Sequence, residues 1–324
     1  MDTESQPAIT DLELRNWLEL PRDVISLILI KLGAIGILCN AQSVCSTWRS
    51  LSKQPHLFRS IDMRSHRDFP DDGDYEKMRK SAKEAVDRSR GELVEFSMAR
   101  FGNDDLLHYI VDKSSMIKCL RLVSCYISNE ALIEVLKKTH CLEEIELCYS
   151  TFSKEVIEEV GKNCCELKSF RLNCQGYRYP RLESDEEAFA IAENMPQLRS
   201  LHLFGNKLTN VGLEAILDKC PYLEYLDLRE CFGLDLNGDL EKKCVERIKS
   251  VRLPDDSTED YEYEEYQYID DSMDGYGSYD DFLSEAYSED YDGMANFSEG
   301  DLFDNNDDDD DLAIDEWAYS FSFY

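Results

Sequence analysis

The chain has 324 residues, of which 43% are hydrophobic, enough for a sizeable core in about two domains. Its formal charge of -33 argues against direct binding of nucleic acid, whose phosphates repel an acidic partner. The N-terminus, MDTESQPAITDLELR, is acidic and polar without a signal-peptide core, and no apolar run approaches the roughly 18 residues of a membrane span, so an intracellular protein with no membrane partner is expected. The 12 cysteines are scattered through apolar patterns without CxxC spacing, which favours reduced structural thiols over disulfides or zinc.

After a flexible N-terminus over 1–15, the first strong element is LPRDVISLILIKL, Leu20 to Leu32. Pro21 suits the first turn of a helix, and Val24, Ile25, Leu27, Ile28, Leu29, Ile30 and Leu32 cover far more than the stripe a surface helix buries. Such a helix has to be covered on two sides. Next, GAIGILCNAQSVCSTWRSLSKQPHLFRSIDMR predicts a short helix, a second helix with Val44, Cys45 and Trp48 on one face, and a turn at Pro55 before Phe58 and Ile61.

A repeat follows the linker and capping helix over 64–92. Two apolar residues flanking a polar one recur as Leu120-Arg-Leu122, Ile145-Glu-Leu147, Phe170-Arg-Leu172, Leu201-His-Leu203, Leu226-Asp-Leu228 and Val251-Arg-Leu253, at spacings of 25, 25, 31, 25 and 25. Ile117, Leu142, Leu167, Leu198, Leu223 and Ile248 each precede a pair by three positions, which makes the LxxLxL core of a leucine-rich repeat. An earlier, less regular unit has Val94 and Phe96 as its strand and DDLLHYIVDK as its helix. Cys125, Ser150, Gln175, Asn206 and Cys231 stand where the repeat turns inward on a small or hydrogen-bonding side chain; Cys164 and Cys220 are expected to be structural as well.

In such an arc the strand residue between two buried ones points to the concave face. These are Arg121, Glu146, Arg171, His202, Asp227 and Arg252, with Asn173, Phe204, Tyr225 and Arg229 beside them, a mixture suited to a protein partner. The longer spacing falls near CQGYRYPRLES, where Tyr177, Arg178, Tyr179 and Arg181 read as a protruding basic-aromatic loop. From Asp255 onward there are 26 acidic residues and no Lys or Arg, so the 68 acids less these 26 leave 42 against 35 bases in the rest. That composition predicts a disordered tail over 255–324, with the folded part ending near Leu253. Within it, Asp270, Ser272, Asp274, Gly275, Ser278 and Asp281 match EF-hand ligand positions, but Gly277 replaces the apolar residue at position 8 and no helices flank the loop, a chance match among many acids.

No HExxH, GxSxG or GxxxxGK[ST] motif occurs, and the adjacent His140 and Cys141 fall where the repeat needs a turn, so neither catalysis nor a cofactor is expected.

The order LPxxVxxxILxxL, VCxxWRxL, PxLFRxID over roughly Trp17 to Met63 resembles the F-box, from which the glycines of GAIGILCN depart. An F-box joined to 25-residue repeats is similar to the F-box/leucine-rich-repeat proteins. WLELPRDVISLILIKLGA, VDRSRGELVEF, MPQLRSLHLFGNKLTNVGLEAIL and LDLRECFGLDLNGDLEKKC resemble a plant subfamily described as Skp-interacting partners. The resemblance implies an α/β architecture: a helical F-box over 16–63, a linker and capping helix over 64–92, a leucine-rich-repeat solenoid over 93–254, and the acidic tail. It further implies a non-catalytic substrate receptor of an SCF-type ubiquitin ligase, working with a Skp-type adaptor and, through it, cullin and RING subunits. Carried over by motif, Leu20, Pro21, Ile25, Ile28, Leu29, Leu32, Val44, Cys45 and Trp48 contact the adaptor or support that contact. The concave residues, with Tyr177 and Arg178, would hold a protein substrate in the nucleus or cytoplasm. The acidic tail leaves open an F-box scaffold or transcription-linked interaction protein that delivers nothing for degradation.

Overall fold

A computed structural model describes residues 20–64, 75–174, 183–236 and 238–263. Helix α1 (Arg22–Gly36) starts after Pro21, which caps it with its carbonyl. It breaks at Gly33, whose φ of 69° favours a residue without a β-carbon, and continues as a π turn over Ile37–Ala41 and the short α2 (Gln42–Val44). The run Arg22–Val44 does reach the length and apolarity of a membrane span, contrary to the sequence expectation. It is a broken helix whose Ile25 and Leu29 lie in the core, and α1 packs on the first strand and on the 3-10 turn Pro55–Phe58.

The expected single helix face of Val44, Cys45 and Trp48 is also corrected. Cys45 is extended (φ -161°, ψ 173°) and its Sγ accepts the Trp48 N–H, capping α3 (Ser46–Leu51). Val44 is therefore turned outward and Trp48 inward.

Eight parallel strands form one sheet in chain order: β1 (Ser60–Met63), β2 (Glu95–Ala99), β3 (Cys119–Val123), β4 (Glu144–Cys148), β5 (Ser169–Arg171), β6 (Ser200–His202), β7 (Tyr225–Asp227) and β8 (Ser250–Arg252). Helix α4 (Tyr75–Ser89) joins the first two. From β2 to β7 one helix follows each strand: α5 (Asp104–Lys113), α6 (Asn129–Leu136), α7 (Lys154–Asn163), α8 (Glu186–Asn194), α9 (Asn210–Lys219) and α10 (Asp239–Arg247). The pairing Ile61↔Phe96↔Leu120↔Ile145↔Phe170↔Leu201↔Leu226↔Val251 keeps one apolar row in register. Two sequence assignments shift. Phe96 and Met98, rather than Val94 and Phe96, form the inward pair of the early unit, preceded by Leu93 three positions back; and the end of the F-box segment supplies the first strand through Ile61 and Met63.

Polar ladders repeat with the same period. Asp104 accepts from the backbone N–H and hydroxyl of Ser128, and Asp185 does the same for Thr209, so each carboxylate pins the start of the next helix. Cys125 donates to the Met98 carbonyl, Cys164 to Thr139, Cys220 to Met195 and Cys231 to Leu203. Burial pushes the Cys125 and Cys164 thiols up to about 12. Ser150 and Asn206 occupy the same turn position; Gln175 lies outside the described residues.

Two residues after the second inward residue, the chain enters the left-handed region at Arg100, Ser124, Tyr149, Gly205 and Glu230, with φ of 52 to 67°. At each, the backbone N–H reaches the next repeat, from Arg100 to Val123 through to Glu230 to Pro254. The added hydrogen bonds offset a strain of about 1 kcal/mol at the non-glycine positions.

The described fold does not stop near Leu253: residues 255–263 continue past β8, and Tyr261 and Tyr263 are buried. The rest of the predicted tail, 264–324, including the EF-hand-like match, lies outside the described residues, as does the loop containing Tyr177, Arg178, Tyr179 and Arg181.

Helices α7 and α8 approach so closely at Gly161 that an added β-carbon would stand 2.6 Å from the Asn194 carbonyl oxygen. Gly→Ala in an open helix stabilises by about 1 kcal/mol; here overpacking reverses the sign, and Gly161→Ala is expected to destabilise by about 1–3 kcal/mol in urea unfolding.

Candidate functional site

Two surfaces collect the candidate residues. The first is the outer side of α1. Ile25 and Leu29 face the core, and one helical face away from them Val24, Leu27 and Ile30 are exposed. Leu32 and Val44 are exposed nearby. The sequence-derived set therefore divides: Ile25, Leu29 and Trp48 are interior supports, Leu20, Ile28 and Cys45 are half-buried, and Pro21, Leu32 and Val44 lie outside. Leu27, at 59% exposure, belongs on the surface more firmly than any of the interior three, and it borders a recess lined by Leu51, Gln54 and His56. Its outward position was concealed by the all-round apolarity of the segment.

The second surface is the face of the sheet opposite the apolar row, the one expected from the repeat to be concave. Its first row runs Asp62, Ser97, Arg121, Glu146, Arg171, His202, Asp227 and Arg252, as in-register pairing requires. Beside it, Ala99, Val123, Cys148 and Phe204 are apolar and buried, with Asn173 and Arg229 in the same row by repeat position. Asn173, Phe204 and Arg229 were legible in this row from the sequence; taking the same position in every repeat would also have found Ala99, Val123 and Cys148.

These rows are not open. The segment Ser257–Tyr263 crosses them as a strap. Arg229 holds Asp227 through two parallel hydrogen bonds of 3.0 and 2.7 Å and donates to Asp260 (2.6 Å) and the Ser257 carbonyl (3.1 Å). Arg252 donates to the same two residues. Although some desolvation opposes it, the guanidiniums of Arg229 and Arg252 hold the Asp260 carboxyl below the usual range.

Tyr261 stacks on Phe204, with centroids 3.8 Å apart and planes 8° from parallel. Its hydroxyl accepts from Asn173 Nδ2 at 2.8 Å and from the Tyr149 hydroxyl at 2.8 Å. Tyr149, which sequence reasoning missed, owes its aim to the left-handed turn after β4. Tyr263 donates to Glu146 Oε2 at 2.5 Å, accepts from Arg64 Nη1 at 2.8 Å, and meets Tyr149 edge-on. Glu262 pairs with Arg171. Burial raises the Glu146 carboxyl, against the pull of Arg171, Tyr263 and Arg121. Arg121 is held by Glu144 and Ser97. Tyr225 packs on His202, with ring centroids 4.7 Å apart.

His140 faces the Asn163 carbonyl at 3.4 Å. Among the described residues no group of three or more His, Cys, Asp or Glu side chains is placed to hold a metal ion.

Burial, reinforced by Arg171, pushes the His202 imidazole down from its ordinary 6.5 to about 4, against the attraction of Asp227 and Glu262. The 3.9 Å approach to Asp227 is thus not an ion pair at neutral pH. The unfolded chain takes up a proton near 6.5 that the folded chain refuses until about 4, so this group's stabilisation is present above that window and is lost as pH falls through it. Relative to the wild type, His202→Gln is expected to lose on the order of 2 kcal/mol less between pH 7 and pH 4, measured by urea unfolding at each pH.

Comparison with known proteins agrees with this geometry. An F-box-like family model matches residues 17–64, and a leucine-rich-repeat model matches residues 194–217. The Arabidopsis thaliana F-box protein SKIP19 is 44% identical over 305 residues, covering 90% of this chain and 98% of that protein. The putative F-box/LRR-repeat protein 23 of the same plant is 46% identical over 76% of this chain, which spans 55% of that longer protein; putative F-box/LRR-repeat protein 22 is 43% identical, covering 76% of this chain and 80% of the relative. Among solved structures, the yeast Rad7 and Elc1 complex aligns with a TM-score of 0.32 at 15% identity, covering 72% of this chain and 81% of the matched one. With helices that match the F-box model, a sheet built one strand per repeat, and relatives alike along most of its length, the chain belongs to the plant F-box/leucine-rich-repeat proteins.

Proposed function

We propose that this chain is the substrate-recognition subunit of an SCF-type ubiquitin ligase, in which the outer face of α1 binds a Skp-type adaptor and the repeat arc binds a protein substrate. The observation that carries the reading is the exposed apolar set Val24, Leu27 and Ile30 on a helix whose other side is already anchored in the core. Water-exposed large aliphatics in one place mark a surface that a partner covers. The chain itself transfers nothing: cullin and RING subunits bring a ubiquitin-loaded enzyme, and this subunit raises the local concentration of the substrate lysine beside it. Nucleus and cytoplasm both suit such a complex.

The test is capture of purified Skp-type adaptor by the full chain. Leu27→Asp/Ile30→Asp changes only exposed positions, so the fold is expected to remain while adaptor binding weakens by about 2 kcal/mol or more. Unchanged capture by this variant would remove the adaptor surface from α1. A partner held by the arc is expected to be ubiquitinated with the wild type and not with the variant.

A further inference from the structure

The strap is a peptide segment seated on the polar rows of the sheet. Its sequence from Ser257 is STEDYEY, and each of its last four residues meets a distinct complement: Asp260 meets Arg229 and Arg252, Tyr261 meets Phe204, Asn173 and Tyr149, Glu262 meets Arg171, and Tyr263 meets Arg64 and Glu146. Around the two rings, Ala99, Val123, Cys148 and Phe204 form an apolar floor separate from the main core. Two buried aromatic anchors, flanked by carboxylates on arginines, are how a protein surface holds a short peptide.

We propose that this face of the sheet is a receptor for acidic peptides of the pattern Asp-Tyr-acid-Tyr that turn as the strap does, through a Tyr261 N–H to Thr258 carbonyl hydrogen bond of 2.9 Å, and that residues 257–263 occupy it in cis as an internal competitor of such a segment in a partner protein. The inference rests on the reading of the arc as the substrate surface and names the substrate class. The strap supplies none of the eight strands of the sheet and joins β8 through Leu253–Asp256, so the partner peptide displaces it without unfolding a repeat. The tyrosine at the Tyr263 position is recognised unmodified: the Tyr263 hydroxyl donates to the Glu146 carboxylate, where a phosphate would place like charges together.

The probe is a fluorescein-labelled peptide DDSTEDYEYEE, the sequence of residues 255–265, titrated in a polarisation assay with the full chain. In the wild type the tethered strap competes at high local concentration and binding is weak; Asp260→Lys/Tyr261→Ala/Tyr263→Ala frees the face, and affinity is expected to rise by about ten-fold or more. Adding Phe204→Ala to that variant is expected to reverse the gain, as is replacing both tyrosines of the peptide by alanine or phosphorylating its second tyrosine. On the wild-type chain, which needs no variant to fold, saturating peptide is expected to speed amide exchange in residues 257–263.

Failure of the freed variant to bind the peptide, with a melting temperature showing it folded, overturns the proposal. So does equal binding of the tyrosine-free acidic peptide, or strap exchange that the peptide leaves unchanged. Adaptor capture is scored on the same preparations: its loss would sink the ligase reading while leaving peptide recognition standing, and the reverse pattern would leave the ligase subunit with another substrate chemistry.

Discussion

Everything in the described structure depends on one register. No single strand and helix can close a core, so each repeat buries its apolar pair only if the neighbouring strand sets its own pair alongside. The alignment of Leu120 with Ile145 and Phe170, and of Leu201 with Leu226, satisfies that condition, and the helices follow because Asp104 and Asp185 tie the starts of successive helices together. The same alignment lines up the residues that face the other way. An ordered row of polar side chains thus arises from a packing requirement, and its chemistry is written at positions the core leaves free.

On that surface, charge is both an asset and a liability. Arg229 and Asp227 are almost wholly buried, as is Glu146, and a buried charge left without a partner costs several kcal/mol. Within the sheet the first two satisfy each other. Glu146 has guanidinium groups nearby at 3.4 and 3.6 Å, and its shortest hydrogen bond comes from Tyr263. Any chain seated on these strands must therefore bring donors and acceptors as well as apolar area. Matching rings alone would strand the carboxylate.

The repeat and the F-box segment were legible because their signals are local and periodic: the LxxLxL core with its 25-residue spacing, and the ordered motifs from Leu20 to Asp62. What escaped was set by distant contacts. The strap reads as the beginning of an acidic tail because composition averages it with 61 further residues, whereas Tyr261 and Tyr263 are fixed by distant partners, among them Asn173, Tyr149, Glu146 and Arg64, which lie 88 to 199 positions away. Likewise, a segment apolar on every side does not reveal which side is covered, and only packing against β1 distinguishes Ile25 from Leu27. The break at Cys45 rested on a thiol acting as a helix cap, a role that serine or aspartate would have advertised.

A stack of parallel strands has two raw ends, each a row of backbone groups able to recruit another chain. Here the ends are treated differently. At the first, α1 packs on β1, so the segment that leaves Leu27 exposed also lies against the first strand. At the last, β8 spans three residues, carries Arg252 and is followed by Pro254, whose nitrogen has no hydrogen to donate. At the β8 end, therefore, few backbone groups are left with which another chain could pair.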